Sequence, residues 1–417
     1  MLKGVDCSCG KRHECPIDYV FIEKNAVRRL GEICKEQTRV LLVADENTFA
    51  AAGEQTVSVL SDKILKKVIF SGKEILVPNE NAIREVEENL SGAEVIIGIG
   101  SGVIQDLCKY VSFYHAIPYI IVATAPSMDG YASNGAAMIT GGMKVTYPAG
   151  LPKAILADTE VLKNAPMEMI KAGYGDVIGK FSALNDWKLS YLVNDEYFCQ
   201  YIYDLTFEQI KTTLNLADGV LKRSEESVKA LMEALVVIGI LMSFAGSSRP
   251  ASGSEHHLSH FFEITGILTD KPYFSHGIDV AYSTVVTASL REKLLATAFP
   301  QALYRQEKQE YSREMKRVYL SSAKGCMALQ EKMGRYQNSN VKMYLDCESE
   351  IREVLAEMPT AAEIEDMLAL VELDTQDFYD LYGKEKIRDA VLYAKDLKDR
   401  YTVLWMYYDL LGDKIDV

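Results

Sequence analysis

The chain has 417 residues, 48% of them hydrophobic and 25% charged, with a net charge of −14 at neutral pH. That length exceeds one ordinary hydrophobic core, so two domains are expected, and the composition is that of a globular protein in water. The acidic balance excludes a nucleic-acid binder, which needs a basic face to release counterions, and it obliges any anionic ligand to find a local basic pocket.

The opening Met1-Leu-Lys-Gly-Val-Asp lacks a signal-peptide pattern, and the longest strongly apolar run, 234–246, is too short to cross a bilayer. A cytoplasmic protein without a membrane span is expected. The first chemical feature is Cys7-Ser-Cys9-Gly-Lys-Arg-His13-Glu-Cys15. Four zinc ligands can be drawn from it, but the Cys-x-Cys spacing is tight and no second knuckle follows, so reduced thiols in a terminal segment are the preferred reading.

Short β-branched runs then alternate with amphipathic stretches. Strands are predicted at 19–22, 40–44, 67–70, 95–99, 119–123 and 154–157, with helices at 26–37, 81–90 and 104–115. Such alternation of near-continuous apolar strands with helices means a parallel sheet covered on both faces. Beyond Pro166 the pattern turns helical, most clearly at 227–244, 279–297, 306–333, 341–357 and 384–411. The expected architecture is an α/β dinucleotide-binding domain, residues 1–165, followed by an all-helical metal-binding and catalytic domain, residues 166–417, joined within 159–170.

Gly98, Gly100 and Gly102 follow the apolar strand at 95–97, and a helix starts near Val103. Glycines there let backbone approach a pyrophosphate, and a helix start presents unpaired N–H groups to it. In the ordinary Rossmann unit the ribose-binding acid comes after the glycine loop. Here the acid candidate, Asp45, precedes it, which implies a different dinucleotide-binding α/β family; Asp45 reads equally well as a helix N-cap. The loop Thr124-Ala-Pro-Ser127-Met-Asp129-Gly-Tyr-Ala-Ser133 follows the strand at 119–123, where ligands of open α/β sheets gather, and it also reads as a plain turn.

Only six histidines occur, and His256, His257, His260 and His276 lie in one short segment. His256 and His260, four apart, share a helix face. A zincin is excluded because His257 stands where the general-base Glu of His-Glu-x-x-His belongs. His276-Gly277 is expected to begin another helix. Asp176, in a glycine-bounded loop ahead of a helix at 177–192, offers a carboxylate or merely a cap. One carboxylate with two imidazoles can hold a divalent metal and leave a position open for a reacting oxygen.

Taken together, Ala44-Asp45-Glu-Asn-Thr48, Gly98-Ile-Gly-Ser-Gly102-Val-Ile-Gln-Asp106, Thr124 to Ser133, Gly175-Asp176-Val-Ile-Gly-Lys180, Ser252-Gly-Ser-Glu-His256-His-Leu-Ser-His260 and His276-Gly277 resemble the iron-containing alcohol dehydrogenase and dehydroquinate synthase superfamily. Within it, the chain looks like the bacterial AraM-type sn-glycerol-1-phosphate dehydrogenases, whose Cys-Ser-Cys-Gly opening it also shares. The resemblance covers nearly the whole chain.

It implies a two-domain fold with the site in an interdomain cleft, and reversible reduction of dihydroxyacetone phosphate to sn-glycerol-1-phosphate by NADH or NADPH. By residue, it implies that Asp45 meets the adenosine ribose and that Gly102, Val103, Ile104, Gln105 and Asp106 meet the pyrophosphate. Thr124, Ala125, Pro126, Ser127 and Ser133 line the dinucleotide. Asp176, His256 and His276 hold one divalent metal (zinc, nickel or iron), while Asp129 and His260 meet the substrate. Where glycerol dehydrogenases carry bulky side chains after the matching serine, this chain has Gly135 and Ile139. Lys144, Lys153, Lys180 and Arg249 are the candidates for the phosphate. Alternatives are a glycerol or other polyol dehydrogenase of the same superfamily and a dehydroquinate-synthase-like cyclase. A homodimer is expected from the frequency of two-fold assemblies.

Overall fold

The computed structural model describes residues 3–141, 143–337, 341–412 and 414. Its contacts group into two compact units. One is the chain up to Val177 with Glu208–Ser248, and the other is Ile178–Phe207 with the chain from Arg249 onward.

The first unit opens on a hairpin of two very short strands, β1 (Val5–Asp6) and β2 (Arg12–His13). Its core is a six-stranded sheet of β3 (Tyr19–Glu23), β4 (Val40–Asp45), β5 (Ile64–Phe70), β6 (Val95–Gly100), β7 (Tyr119–Ala123) and, after a second hairpin of β8 (Gly135–Thr140) with β9 (Met143–Pro148), β10 (Ala154–Asp158). The spatial order is β3-β10-β7-β6-β4-β5, and every pairing is parallel.

The alternation of side chains explains why apolar residues run unbroken along these strands. Leu41 and Val43 join one buried cluster with the helices Glu80–Glu88 and Gly102–His115, whereas Val40, Leu42 and Ala44 face the opposite cluster with Val27, Leu30 and Ala52. Both faces are dry, so the period-two polar signal disappears.

All six predicted sheet strands are present. Both hairpins are additions to the expected set, because strands of two residues and the sequence Gly-Ala-Ala-Met-Ile-Thr carry little β propensity. The predicted helix 26–37 is only a 3-10 turn, Ala26–Arg29, running into one α turn, Leu30–Ile33. The apolar run 234–246 belongs to a longer helix, Glu225–Ala245. By length and composition that helix could cross a membrane, contrary to the expectation from the run alone; 72% of its apolar window is buried inside the protein.

The second unit is helical. The predicted 306–333 breaks at Leu320, which takes a left-handed φ of 46° between Lys308–Tyr319 and the short turn leading into Ala323–Met333. The predicted 341–357 breaks at Cys347, giving Val341–Asp346 and Glu348–Ala356. The predicted 384–411 splits into Thr375–Tyr393, kinked at Gly383, and Val403–Leu411. Periodicity continues across such breaks because the neighbouring segments bury the same kind of face, so hydropathy alone does not reveal them.

Candidate active site and metal centre

The sheet topology makes one crevice. From β4 the chain passes to β5 on one side, while β6 lies on the other side of β4, so connections diverge at the carboxyl ends of β4 and β6. Ligands of open α/β sheets bind at such a switch point. Register levels the loops there: Ala44 pairs with Ile99, Gly100 with Ala123, and Ala123 with Ala157.

Asp45 ends β4 and caps the helix Glu46–Leu60. Thr48 N–H donates to Asp45 Oδ1 at 2.9 Å, and Asp45 N–H donates to Thr48 Oγ1 at 3.0 Å. The capping role is therefore real, and it engages one carboxylate oxygen. The three glycines of the next loop separate by function. A Cβ on Gly98 would lie 2.8 Å from Cys108 Sγ, and one on Gly100 would lie 2.6 Å from Ile104 Cβ, so both serve tight strand–helix packing. A Cβ on Gly102 would meet only Met128 Cγ at 3.8 Å.

Gly102 opens the helix Gly102–His115, whose N-cap Ser101 makes no side-chain cap. The first intrahelical donor is Gln105, whose N–H reaches Ser101 O at 2.9 Å. The amides of Gly102, Val103 and Ile104 thus lack an intrahelical acceptor, the arrangement that binds phosphate. The structure does not bring Gln105 and Asp106 to that edge. Gln105 Nε2 donates to Tyr119 Oη and Tyr131 O, both at 3.0 Å, and Asp106 Oδ2 accepts from Ala137 N–H at 3.2 Å.

Buried contacts hold the loop after β7. Thr124 N–H continues the ladder to Gly100 O at 3.1 Å, Tyr131 Oη donates to Ala125 O at 2.7 Å, and Ser127 Oγ meets Ser101 Oγ. Lys109, which the sequence reading did not single out, is fully buried; its Nζ donates to Gly130 O at 2.9 Å, Ser133 Oγ at 3.1 Å and Gly135 O at 2.9 Å. Burial lowers its pKa, against the pull of Asp106 nearby. Two glycines let helices press on the same loop. A Cβ on Gly173 would sit 1.8 Å from Pro126 O, and one on Gly239 would sit 2.7 Å from Asp129 O.

Gly173 also corrects the expected setting of Asp176. Asp176 lies inside the helix Met167–Ile178 rather than in a loop, and the next helix is Lys180–Asn194. Glycine is tolerated in that helix because close packing on Pro126 demands it. Asp176 is fully buried, and its Oδ2 accepts the Asp129 N–H at 2.9 Å.

His256, His257 and His260 lie on the helix Ser254–Thr269, and His276 starts the helix His276–Ala296. The rings of His256, His260 and His276 form a triangle with centroid separations of 5.0, 5.6 and 6.1 Å. Asp176, His256 and His276 each offer one ligand atom, and these three atoms lie within 4.8 Å of one another. His256 Nδ1 is 2.7 Å from Glu255 Oε1, which fixes the ring and leaves Nε2 as the donor, the usual support of a metal-ligating histidine. Burial pushes His256 well below its ordinary pKa and Glu255 up to about 7. A neutral imidazole is the form that ligates a metal. His257 is buried and held neutral, and no hydrogen bond reaches its ring nitrogens, so it belongs to the core.

Among the phosphate candidates, Arg249 is engaged internally: its Nε donates to Glu196 Oε1 at 2.6 Å and its Nη1 to Tyr401 O at 2.8 Å. Lys180 is buried and acts electrostatically on His256, as do two residues the sequence reading missed, Lys398 and Arg400. Arg400 Nη1 donates to Ser252 O at 2.9 Å and Lys398 Nζ to Ser252 Oγ at 3.4 Å, just ahead of the His256 helix. Far from the histidines in sequence, Lys398 and Arg400 had no local signal.

The family model described as iron-containing alcohol dehydrogenase matches residues 21–166. A glycerol-1-phosphate dehydrogenase [NAD(P)+] of Halalkalibacterium halodurans is 34% identical over 68% of this chain and 73% of its own length. One from Bacillus licheniformis is 28% identical over 95% of this chain and 90% of its own. Among solved structures, an archaeal alcohol dehydrogenase from a Red Sea brine pool superposes with a TM-score of 0.63 at 13% identity, covering 97% of this chain and 99% of that one. The chain belongs to the iron-containing alcohol dehydrogenase superfamily.

Proposed function

We propose that this protein is a metal-dependent, NAD(P)-linked dehydrogenase that interconverts dihydroxyacetone phosphate and sn-glycerol-1-phosphate. The observation that carries the reaction class is the compact set of Asp176, His256 and His276. The substrate follows from the glycerol-1-phosphate dehydrogenases it resembles.

The residues fit a divalent cation. Two imidazole nitrogens and a buried carboxylate form an open N2O set. A bound cation supplies Lewis-acid polarisation of a carbonyl oxygen. The chain's own residues do the rest. Glu255 and the Asp129 amide hold His256 and Asp176 in their ligating orientations. The amides of Gly102, Val103 and Ile104 take the pyrophosphate, with Ser127 and Thr124 beside it. Asp45 offers its second oxygen to a ribose hydroxyl, which favours NADH over NADPH.

A bound NAD(P)H would supply a hydride to C2 of the ketone, and the C2 oxygen would then need a proton. His260, half-buried beside His276, is the residue assigned to that proton or to a substrate hydroxyl. The Asp129 carboxylate binds the terminal hydroxyl. Lys180, Lys398 and Arg400 supply the local positive field that a phosphate requires in an acidic chain.

The test is a spectrophotometric assay of NADH and NADPH oxidation with dihydroxyacetone phosphate and with dihydroxyacetone, repeated after chelation and metal add-back. Oxidation with the phosphate ester, lost on chelation and restored by metal, is expected. Oxidation with dihydroxyacetone alone rejects the phosphate-specific reading.

A further inference from the structure

The N-terminal thiols, read from sequence as merely reduced, stand in a different set from the one weighed there. Cys7, Cys9 and His13 group with Cys199, which directly precedes the helix Gln200–Asn215, and one ligand atom from each lies within 4.8 Å of all the others. Cys15 is outside this set; burial pushes its thiol up to about 11, the mark of an inert core cysteine. None of the eight cysteines is in a disulfide.

The local structure is a knuckle. Gly10, at a left-handed φ of 84°, turns the chain; its N–H donates to Cys7 O at 3.0 Å, and Cys7 N–H donates to Lys11 O at 3.1 Å. Strands of two residues do not hold a hairpin together unaided, so something else must anchor it. His13 is oriented for the task. Its buried ring stacks on Phe244 at 5.3 Å and 14°, and its Nδ1 lies 3.2 Å from Phe244 O. A carbonyl only accepts, so the proton sits on Nδ1 and the Nε2 lone pair faces the sulfurs, with Cys9 Sγ 3.5 Å away. Tetrahedral zinc with ordinary Zn–S and Zn–N bonds has ligand-to-ligand edges of about 3.6–3.8 Å, close to that spacing.

We infer that Cys7, Cys9, His13 and Cys199 form a second metal centre, a closed Cys3His site that binds one zinc ion and anchors the N-terminal hairpin. Four protein ligands leave no position for substrate, so the site is structural, and its thiolates select a softer ion chemistry than the N2O set of Asp176, His256 and His276.

Cobalt substitution of the full-length protein tests this independently of turnover. With cobalt loaded, the wild type and His276→Ala should both show near-ultraviolet thiolate-to-cobalt charge transfer and strong tetrahedral visible bands. Cys9→Ser and Cys199→Ser should each lose those bands and one metal equivalent by elemental analysis, while the other equivalent stays. Absence of the charge-transfer absorption from cobalt-loaded wild type overturns the inference even if a cysteine variant fails to fold. Retention of the bands in both cysteine variants overturns it as well.

Discussion

The sheet edge and the histidine helices present their polar groups in opposite ways. At the sheet edge the groups offered to a ligand are mostly backbone amides, positioned by strand register and by what is missing: side chains at Gly173 and Gly239 that would collide with Pro126 O and Asp129 O. In the helical unit the offered groups are imidazoles, and a buried polar network holds them. Asp186 Oδ2 accepts Ser254 N–H at 2.6 Å at the start of the His256 helix. Asp186 Oδ1 accepts Val403 N–H and Arg291 Nη2, each at 2.8 Å, and Arg291 belongs to the His276 helix. The first construction fails through steric clash, the second through unpaired charge.

That contrast can be broken at four points. His276→Ala should reduce turnover by about 10³-fold or more, with the metal lost from the N2O set by elemental analysis and the apparent KM for NADH nearly unchanged. An unchanged turnover would remove the imidazoles from the chemistry. Asp186→Ala leaves Arg291 buried without its partner, so chemical denaturation should show a loss of about 3–5 kcal/mol. A loss below about 1 kcal/mol would mean the network is not what positions the helices.

Gly173→Ala should cost about 1–3 kcal/mol by overpacking, with a parallel fall in turnover as the loop 124–133 shifts. Gly102→Ala is the sharpest comparison, because its Cβ makes only ordinary van der Waals contact with Met128. Stability should stay within about 0.5 kcal/mol of wild type while the KM for NADH rises about tenfold. If Gly102→Ala destabilises as much as Gly173→Ala, the division between packing glycines and the pyrophosphate glycine is wrong.

Much of this was legible. Strands such as 119–123 announce themselves because burial on both faces demands unbroken β-branched residues, and the crowding of four histidines between His256 and His276 marked a candidate site. Less visible were the helix breaks at Leu320 and Cys347, which leave hydropathy unchanged, and the helical setting of Asp176, where two nearby glycines read as a loop. Lys109, Lys398 and Arg400 were overlooked because a buried or clustered cation looks in sequence like any other lysine or arginine.

The order of apolar and helical segments along the chain determined the two kinds of architecture and the residue types able to ligate a cation, since both depend on local composition and spacing. Which partners those residues meet was decided only in three dimensions. Cys199 displaced Cys15 from the thiol group, and Gln105 and Asp106 turned inward from the run that Gly102 begins. The physical reason is that ligation and packing depend on distance in space, which spacing along the chain does not fix.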